Sequence, residues 1–153
     1  MEKLKRVDSS DADFQSLVVL LDAELAERDG EEHPFYAAFN SIDAIQYAVV
    51  YKVEGQPVAC GAIKPFDAAC VEVKRMFVHP HYRRKGFAAI VLQELELWTL
   101  ELGVSACVLE TGKKQPEAIG LYQKSGYRII PNYGQYADVE NSVCMKKDLE
   151  KLN

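Results

Sequence analysis

The chain has 153 residues, a length that favours one domain able to bury a core of its own. Apolar residues make up 48% of it and charged residues 27%, which argues against intrinsic disorder. With 18 Lys and Arg against 23 Asp and Glu the net charge is −5, so the chain lacks the basic surplus that is typical of nucleic-acid-binding proteins.

The apolar runs and the cysteines indicate the compartment. None of the runs approaches the roughly 18 residues that a membrane-spanning helix needs, and the N-terminus shows no signal-peptide pattern. No CxxC pair occurs, which argues against a disulfide framework or a zinc site; the cysteines are Cys60, Cys70, Cys107 and Cys144. We therefore expect reduced, mostly buried cysteines and a cytoplasmic protein without nucleic-acid or membrane partners.

The first half of the chain predicts a strand, two helices and a hairpin. A pattern resembling a capping box at residues 10–13 precedes apolar residues at helical spacing, and Gly30 ends that helix. The connection between the two hairpin strands is too short for a crossover, so the strands are antiparallel. The strand is predicted at 3–7, the helices at 10–30 and 35–39, and the hairpin strands at 44–53 and 58–65.

The second half predicts a strand, a helix, a strand, a helix and two strands. They lie at 69–78, 91–102, 106–110, 117–124, 127–130 and 142–147. Within 69–78, Val71 and Val73 lie on one face, and Glu72, Lys74 and Met76 on the other. The whole order is β-α-α-β-β-β-α-β-α-β-β, which predicts an α/β protein: one domain over 1–153, with a mixed sheet flanked by helices on both faces.

A basic loop before the long helix carries the chemical signal. A helix N-terminus offers unpaired N–H groups and the positive end of the helix dipole, and both attract phosphate oxygens. Gly86 and Ala88 leave room for a pyrophosphate near the backbone, and the preceding cations Arg83, Arg84 and Lys85 can donate to it. The alternative is an ordinary solvated helix start with surplus charge.

This loop resembles one in a known family. Arg83-Arg84-Lys85-Gly86-Phe87-Ala88 is similar to the Arg/Gln-x-x-Gly-x-Gly/Ala loop of GNAT-type N-acetyltransferases, which binds the pyrophosphate of acetyl-coenzyme A. Residues 78–80, 109–111 and 118–127 resemble further family segments in the same order and spacing. The resemblance implies a GNAT-like, mostly antiparallel mixed sheet, and an acetyl-coenzyme A donor with no metal.

The resemblance assigns the cofactor contacts residue by residue. Backbone N–H groups of Met76, Phe77 and Val78 would bind the pantetheine and the thioester oxygen. The pyrophosphate would lie against Arg83, Arg84, Lys85, Gly86, Phe87 and Ala88. Gln115 stands where the family often has an asparagine that contacts the pantetheine, and Ala88 replaces the second glycine of the loop.

The resemblance also suggests two catalytic residues. Tyr122 matches the family tyrosine that often protonates the departing thiolate. A phenol suits that task, since its pKa of about 10 lies near that of the thiol. Glu72, six residues before Val78, matches a carboxylate base that acts through water. The alternatives are a tyrosine that only packs on its helix, and a strand glutamate paired with Lys74 or a neighbouring strand.

Acidic and aromatic residues suggest where an amine acceptor binds. The region of the first helices usually forms one wall of the acceptor cleft in this family, and a tyrosine-rich loop could form the opposite wall. These candidates are Glu32, His33, Tyr36, Asn40, Tyr133 and Tyr136. Ordinary loop and core packing is the alternative. His79 and His81 lack a third ligand nearby in the sequence, so we expect no metal.

The leading interpretation is an acetyl-coenzyme A-dependent N-acetyltransferase that acts on a primary amine of a small molecule or peptide. A coenzyme A-binding module of the same fold that senses or scaffolds is the second. O-acyl transfer or a longer acyl donor is the third. The fold often pairs through its C-terminal strands, so a homodimer is also an expectation.

Overall fold

The computed structural model of the protein describes residues 2–30 and 45–150. Its strands are β1 (Glu2–Val7), β2 (Tyr47–Val53), β3 (Gln56–Pro65), β4 (Cys70–Val78), β5 (Ala106–Gly112), β6 (Arg128–Ile130) and β7 (Ser142–Asp148). The α-helices in the described residues are α1 (Ala12–Asp29), α2 (Phe87–Glu101) and α3 (Pro116–Lys124). Short 3₁₀ turns occur at Pro80–Tyr82 and Gly134–Tyr136.

The strands form one sheet in the order β1-β2-β3-β4-β5-β7-β6. β4 and β5 are parallel, whereas β1–β2, β2–β3, β5–β7 and β6–β7 are antiparallel. The expected mixed, mostly antiparallel sheet is therefore confirmed. The short helix expected at 35–39 lies outside the described residues. Within the described ranges, no helix is long and apolar enough to cross a membrane.

The described residues form two compact units. The first unit lies within Met1–Lys64 and Lys74–Leu95, and the second within Pro65–Val73 and Glu96–Asn153. The unit boundary falls inside β4 and again inside α2. Lys74–Val78 of β4 thus belong to the first unit, and Cys70–Val73 to the second.

The first unit is built around α1. Asp11 caps the helix, because its carboxylate accepts a hydrogen bond of 2.9 Å from the backbone N–H of Phe14. Of the apolar residues predicted from the helical spacing, those from Phe14 to Leu21 are buried and Leu25 is half-buried, and Phe77 of β4 joins the same core cluster. That cluster consists of Phe14, Leu17, Val18, Leu21, Ile45, Ala48, Val50, Cys60, Ala62 and Phe77. The core of this unit thus fixes the end of β4.

The second unit holds a buried polar network. The Tyr127 hydroxyl donates to Oε2 of Glu96 at 2.9 Å, and the Lys147 ammonium donates to Oε1 of the same carboxylate at 2.9 Å. Burial, more than any other cause, raises the pKa of Tyr127. A carboxylate with a donor on each oxygen is satisfied inside the protein, so the network joins the end of α2 to β7.

All four cysteines are free and buried, as expected from their spacing. Burial raises the pKa of Cys60 to about 12 and that of Cys107 to about 11. These thiols therefore stay protonated at neutral pH and behave as small apolar side chains.

Candidate active site

β4 carries several of the predicted site residues. Val71 and Val73 are buried and Glu72 is half-buried between them, as the alternation predicted. Arg75 departs from an ordinary strand, because its φ is +60°, in the left-handed region that non-glycine residues avoid. The strand ends where the His79 N–H donates to the Val58 carbonyl at 2.8 Å.

His79 and His81 lie in the turn that follows β4. The His81 backbone N–H donates to Nδ1 of His79 at 3.2 Å, and the His79 ring lies against Tyr82 with 5.8 Å between centroids. His79 thus caps the 3₁₀ turn that connects β4 to the basic loop. In the part of the chain that the structure describes, no group of His, Cys, Asp or Glu is arranged to hold a metal ion.

The basic loop is exposed, and two of its residues have left-handed backbone. Arg84 and Gly86 have φ values of +66° and +85°, both left-handed. A left-handed residue in such a turn makes successive N–H groups converge into an anion-binding concavity. α2 follows directly, and its first hydrogen bond runs from the Ile90 N–H to the Gly86 carbonyl at 3.2 Å. A Cβ on Gly86 would meet no atom within 4 Å, so this side of the loop is open.

The Arg83 side chain contacts both β4 and α1. Its Nε donates to the Val78 carbonyl at 2.9 Å, and its Nη2 donates to Glu24 of α1 at 2.6 Å. The guanidinium also lies 5.6 Å from the centroid of the Phe77 ring. Three contacts of this kind tie the loop to β4 and α1. The other loop cations, Arg84 and Lys85, are exposed.

Tyr122 lies on the buried side of α3. It is 7% exposed, and its ring meets that of Tyr127 edge-on at 5.8 Å between centroids. Burial raises the pKa of Tyr122, and the Glu110 carboxylate adds to the rise. The hydroxyl is therefore protonated throughout the neutral range. Gln115, at the start of the same helix, makes no side-chain capping hydrogen bond.

Glu72 and Tyr133 are in direct contact. The Tyr133 hydroxyl donates to Oε2 of Glu72 at 2.7 Å. Burial first, and then the Glu72 carboxylate, raises the pKa of Tyr133, so the phenol keeps its proton. Its ring packs between Phe66 at 4.9 Å and Tyr136 at 5.9 Å. Within the second unit, Glu72, the predicted base, is thus hydrogen-bonded to Tyr133, which was predicted to line the cleft for the acceptor amine.

A second carboxylate shares this environment. Ser142 donates to Oε2 of Glu110 at 2.6 Å, and Glu110 pairs with Cys144 across β5 and β7. After burial, the Glu110 and Glu72 carboxylates are the next largest causes that raise the pKa of Tyr136. Sequence reasoning missed Glu110. A lone carboxylate inside the apolar strand 106–110 was the signal that could have identified it.

The family model of the GNAT acetyltransferases matches residues 14–127. The chain belongs to the GNAT acetyltransferase family.

Known proteins of this family resemble the chain in sequence and fold. It is 36% identical over 102 residues to an IAA acetyltransferase of Azospirillum brasilense, covering 66% of this chain and 67% of that protein. A solved acyl-CoA N-acyltransferase from Klebsiella pneumoniae superposes with a TM-score of 0.81 at 26% identity, covering 98% of this chain and 99% of that one. The matched stretches cover between 34% and 67% of the length of the curated relatives.

A structure with bound coenzyme A shares the GNAT fold. The PaiA N-acetyltransferase of Thermoplasma acidophilum, solved in complex with coenzyme A, superposes with a TM-score of 0.72 over 97% of this chain and 99% of that one. At 14% identity this likeness concerns the fold alone.

The predicted GNAT residues divide between the units and the undescribed segment. Met76, Phe77, Val78 and the loop residues Arg83 to Ala88 lie in the first unit, whereas Glu72, Gln115, Tyr122 and Tyr133 lie in the second. Glu32, His33, Tyr36 and Asn40 lie outside the described residues.

Proposed function

We propose that the protein is an acetyl-coenzyme A-dependent N-acetyltransferase whose acceptor is a primary amine of a small molecule or peptide. The observation that carries this proposal is the loop in front of α2, where Arg84 and Gly86 are left-handed and the backbone is open to solvent. Family membership supports the acetyl transfer, and the coenzyme A complex of a structural neighbour supports the choice of donor.

The loop fits a pyrophosphate on three counts. Converging N–H groups and the N-terminus of a 15-residue helix both favour bound anions. Arg84 and Lys85 add exposed cationic donors. Gly86 leaves the approach to the backbone clear. The backbone of Met76, Phe77 and Val78, at the end of β4, would bind the pantetheine and the thioester oxygen, and Gln115 would contribute an amide contact.

Acetyl-coenzyme A supplies a thioester whose carbonyl carbon the amine attacks, forming the C–N bond and breaking the C–S bond. An acceptor ammonium must lose its proton first, and Glu72 would receive it through water. Tyr133 would hold the Glu72 carboxylate in place through its hydroxyl. Tyr122 would donate a hydrogen bond to the departing sulfur. Starting from the ammonium, the acceptor nitrogen loses two protons overall; the thiolate takes up one and solvent the other.

Thiol release from acetyl-coenzyme A against a panel of primary amines tests the proposal. An enzyme releases coenzyme A in amounts equal to the acetylated amine, and the amide product is identified by mass spectrometry. A binding module of the same fold would bind coenzyme A in calorimetry and release no thiol with any amine. Hydroxyl acceptors and longer acyl donors in the same panel distinguish O-acyl transfer and other donors.

The role of Arg83 is decided by Glu24→Gln. If Arg83 holds the loop in place through Glu24, loss of this partly exposed ion pair weakens coenzyme A binding by up to about fivefold. That is the result we expect, because Nε and Nη2 already have protein partners. Titration calorimetry measures the Kd, with Glu27→Gln on the same helix as the charge control. Tighter binding would instead show that Glu24 competes with phosphate for Arg83.

Replacing Glu72 by Gln removes the proton acceptor and preserves an oxygen for the Tyr133 hydroxyl. We expect kcat at pH 7 to fall about a hundredfold, on the usual scale of base catalysis. Part of the loss is recovered at about pH 9 to 10, where the free amine is abundant.

The pH–rate profile is the measurement. Glu140→Gln removes an exposed carboxylate of the same unit and should leave the profile unchanged. If Glu72→Gln also keeps the wild-type profile, Glu72 is only a strand residue and another group takes the proton.

A further inference from the structure

Arg75 places a cation inside the first unit. Its side chain is 2% exposed, and its Nη2 donates to Oδ1 of Asp22 on α1 at 2.7 Å. The Nε and Nη1 atoms are buried and have no hydrogen-bond partner among residues 2–30 and 45–150. The Cys60 thiol donates to the Arg75 backbone carbonyl at 3.4 Å, so this contact engages the main chain of Arg75 and not its guanidinium.

This arrangement is costly for a residue that only packs. A buried N–H group without a partner keeps its full desolvation penalty, and the penalty is larger on a charged group. The φ of +60° adds backbone strain at the same residue. Orphaned buried donors and strained backbone together are typical of positions where a ligand completes the structure.

Asp22 satisfies only part of the guanidinium. A guanidinium offers hydrogen bonds along two edges, one formed by Nε and Nη2 and the other by Nη1 and Nη2. Because Nε and Nη1 are both unused, each edge keeps a free donor. The Asp22 side chain is 52% exposed and belongs to a surface position of α1. It therefore loses little by turning into solvent, whereas the guanidinium cannot leave the interior. Asp22 is therefore the partner that a competing carboxylate would displace.

The chemistry of the site selects a carboxylate. A guanidinium binds a planar carboxylate through two parallel N–H···O bonds, and such bidentate pairs are among the strongest in proteins. One carboxylate neutralises one guanidinium, as Asp22 does now. A phosphate dianion would leave surplus negative charge beside the apolar cluster that contains Cys60 and Phe77.

We propose that Arg75 binds a carboxylate of the acceptor in exchange for Asp22, so that the acceptor is a primary amine that also carries a carboxylate. This proposal rests on the proposed function. Arg75 directly precedes Met76, Phe77 and Val78, whose backbone is the proposed site of the thioester. An acceptor held by its carboxylate at Arg75 would have its amine close to the reacting carbon.

The test uses paired acceptors with the wild-type protein. Glycine, β-alanine, 4-aminobutyrate, 6-aminohexanoate and L-glutamate are each compared with the primary amide of the same compound. Thiol release gives kcat/KM, and the unfolding temperature of the coenzyme A-saturated protein reports binding without turnover. For at least one pair we expect the acid to exceed its amide by about tenfold or more in kcat/KM and to stabilise the protein where the amide does not.

Two variants assign the effect to Arg75. Asp22→Asn removes the competing carboxylate and should lower KM for the preferred acid about threefold or more while leaving the amide unchanged. Arg75→Gln should abolish the difference between acid and amide, both in kcat/KM and in the unfolding temperature. Glu27→Gln removes an exposed carboxylate from the same helix and is the control. It should change neither the KM for the acid nor the difference between acid and amide.

The outcomes separate this proposal from the proposed function. Turnover of acids and amides at equal rates overturns the carboxylate site and leaves the acetyltransferase standing. If no amine is turned over, acid-specific stabilisation that Arg75→Gln abolishes still supports the site. Absence of acid preference in both turnover and unfolding temperature overturns it, as does a preference that persists in a folded Arg75→Gln protein.

Discussion

Gly86→Asp is expected to abolish coenzyme A binding in a folded protein. The substitution puts a carboxylate on the open side of the loop at the proposed pyrophosphate site, where it would repel the phosphates and occupy their approach. It also adds strain, because the φ of Gly86 is +85°. We expect the Kd to rise at least about a hundredfold, since a like charge next to a bound anion reverses the electrostatic attraction of the loop. Titration calorimetry with coenzyme A measures it.

Gly55→Asp is the matched control. Gly55 lies in the turn between β2 and β3 with a φ of +79°, and a Cβ there also meets no atom within 4 Å. The two variants therefore share the same added charge and nearly the same backbone strain. Gly86→Ala isolates the strain from the charge and should weaken binding much less. Unchanged coenzyme A affinity in a folded Gly86→Asp protein would show that the pyrophosphate binds elsewhere.

Local sequence signals predicted most of the fold. Alternation of buried and half-buried residues identified β4, and the spacing from Phe14 to Leu21 identified the buried face of α1. The start of α1 was predicted from the pattern resembling a capping box at residues 10–13, within which the structure assigns the cap to Asp11. These signals are readable because each depends on residues within a few positions of one another.

Element boundaries were less predictable. The hairpin was expected to connect over residues 54–57, but Glu54 and Gly55 alone form the turn, with φ values of +51° and +79°. Two left-handed residues match the twist of a tight hairpin, so pairing extends to Gln56. The sequence did not predict this two-residue turn, because Glu54 stands at a position where Asn or Asp is the usual residue.

The contacts of the candidate site depend on residues that are distant in sequence. Glu72 and Tyr133 are 61 positions apart, and the pair of Arg75 and Asp22 is separated by 53. No periodicity specifies which tyrosine meets which carboxylate. The left-handed Arg75 was equally invisible, because an arginine in a strand pattern gives no signal for positive φ. Tertiary packing decides both.

Tyr122→Phe is expected to lower kcat by about tenfold to a thousandfold with a smaller change in coenzyme A affinity. The variant removes only the hydroxyl from a buried ring, so packing against Tyr127 is preserved. Burial and then the Glu110 carboxylate raise the pKa of Tyr122, so the phenol keeps its proton at neutral and mildly alkaline pH and can donate a hydrogen bond to the departing sulfur. The raised pKa moves the phenol further from a thiol pKa of about 8.5, which favours a donated hydrogen bond over full proton transfer.

Tyr127→Phe supplies the comparison for Tyr122. It removes a hydroxyl from a second buried tyrosine of the same unit, one that donates to Glu96. Loss of that donor leaves a buried carboxylate oxygen unsatisfied, so Tyr127→Phe should lower the unfolding temperature and spare kcat in the folded protein. Tyr122→Phe should do the reverse, and its kcat should stay below wild type at every pH up to about 10, because the phenol remains protonated over that range. Single-turnover measurements ensure that chemistry is the step observed. Wild-type single-turnover rates in Tyr122→Phe would leave Tyr122 with a packing role and assign the hydrogen bond to the departing sulfur to another donor.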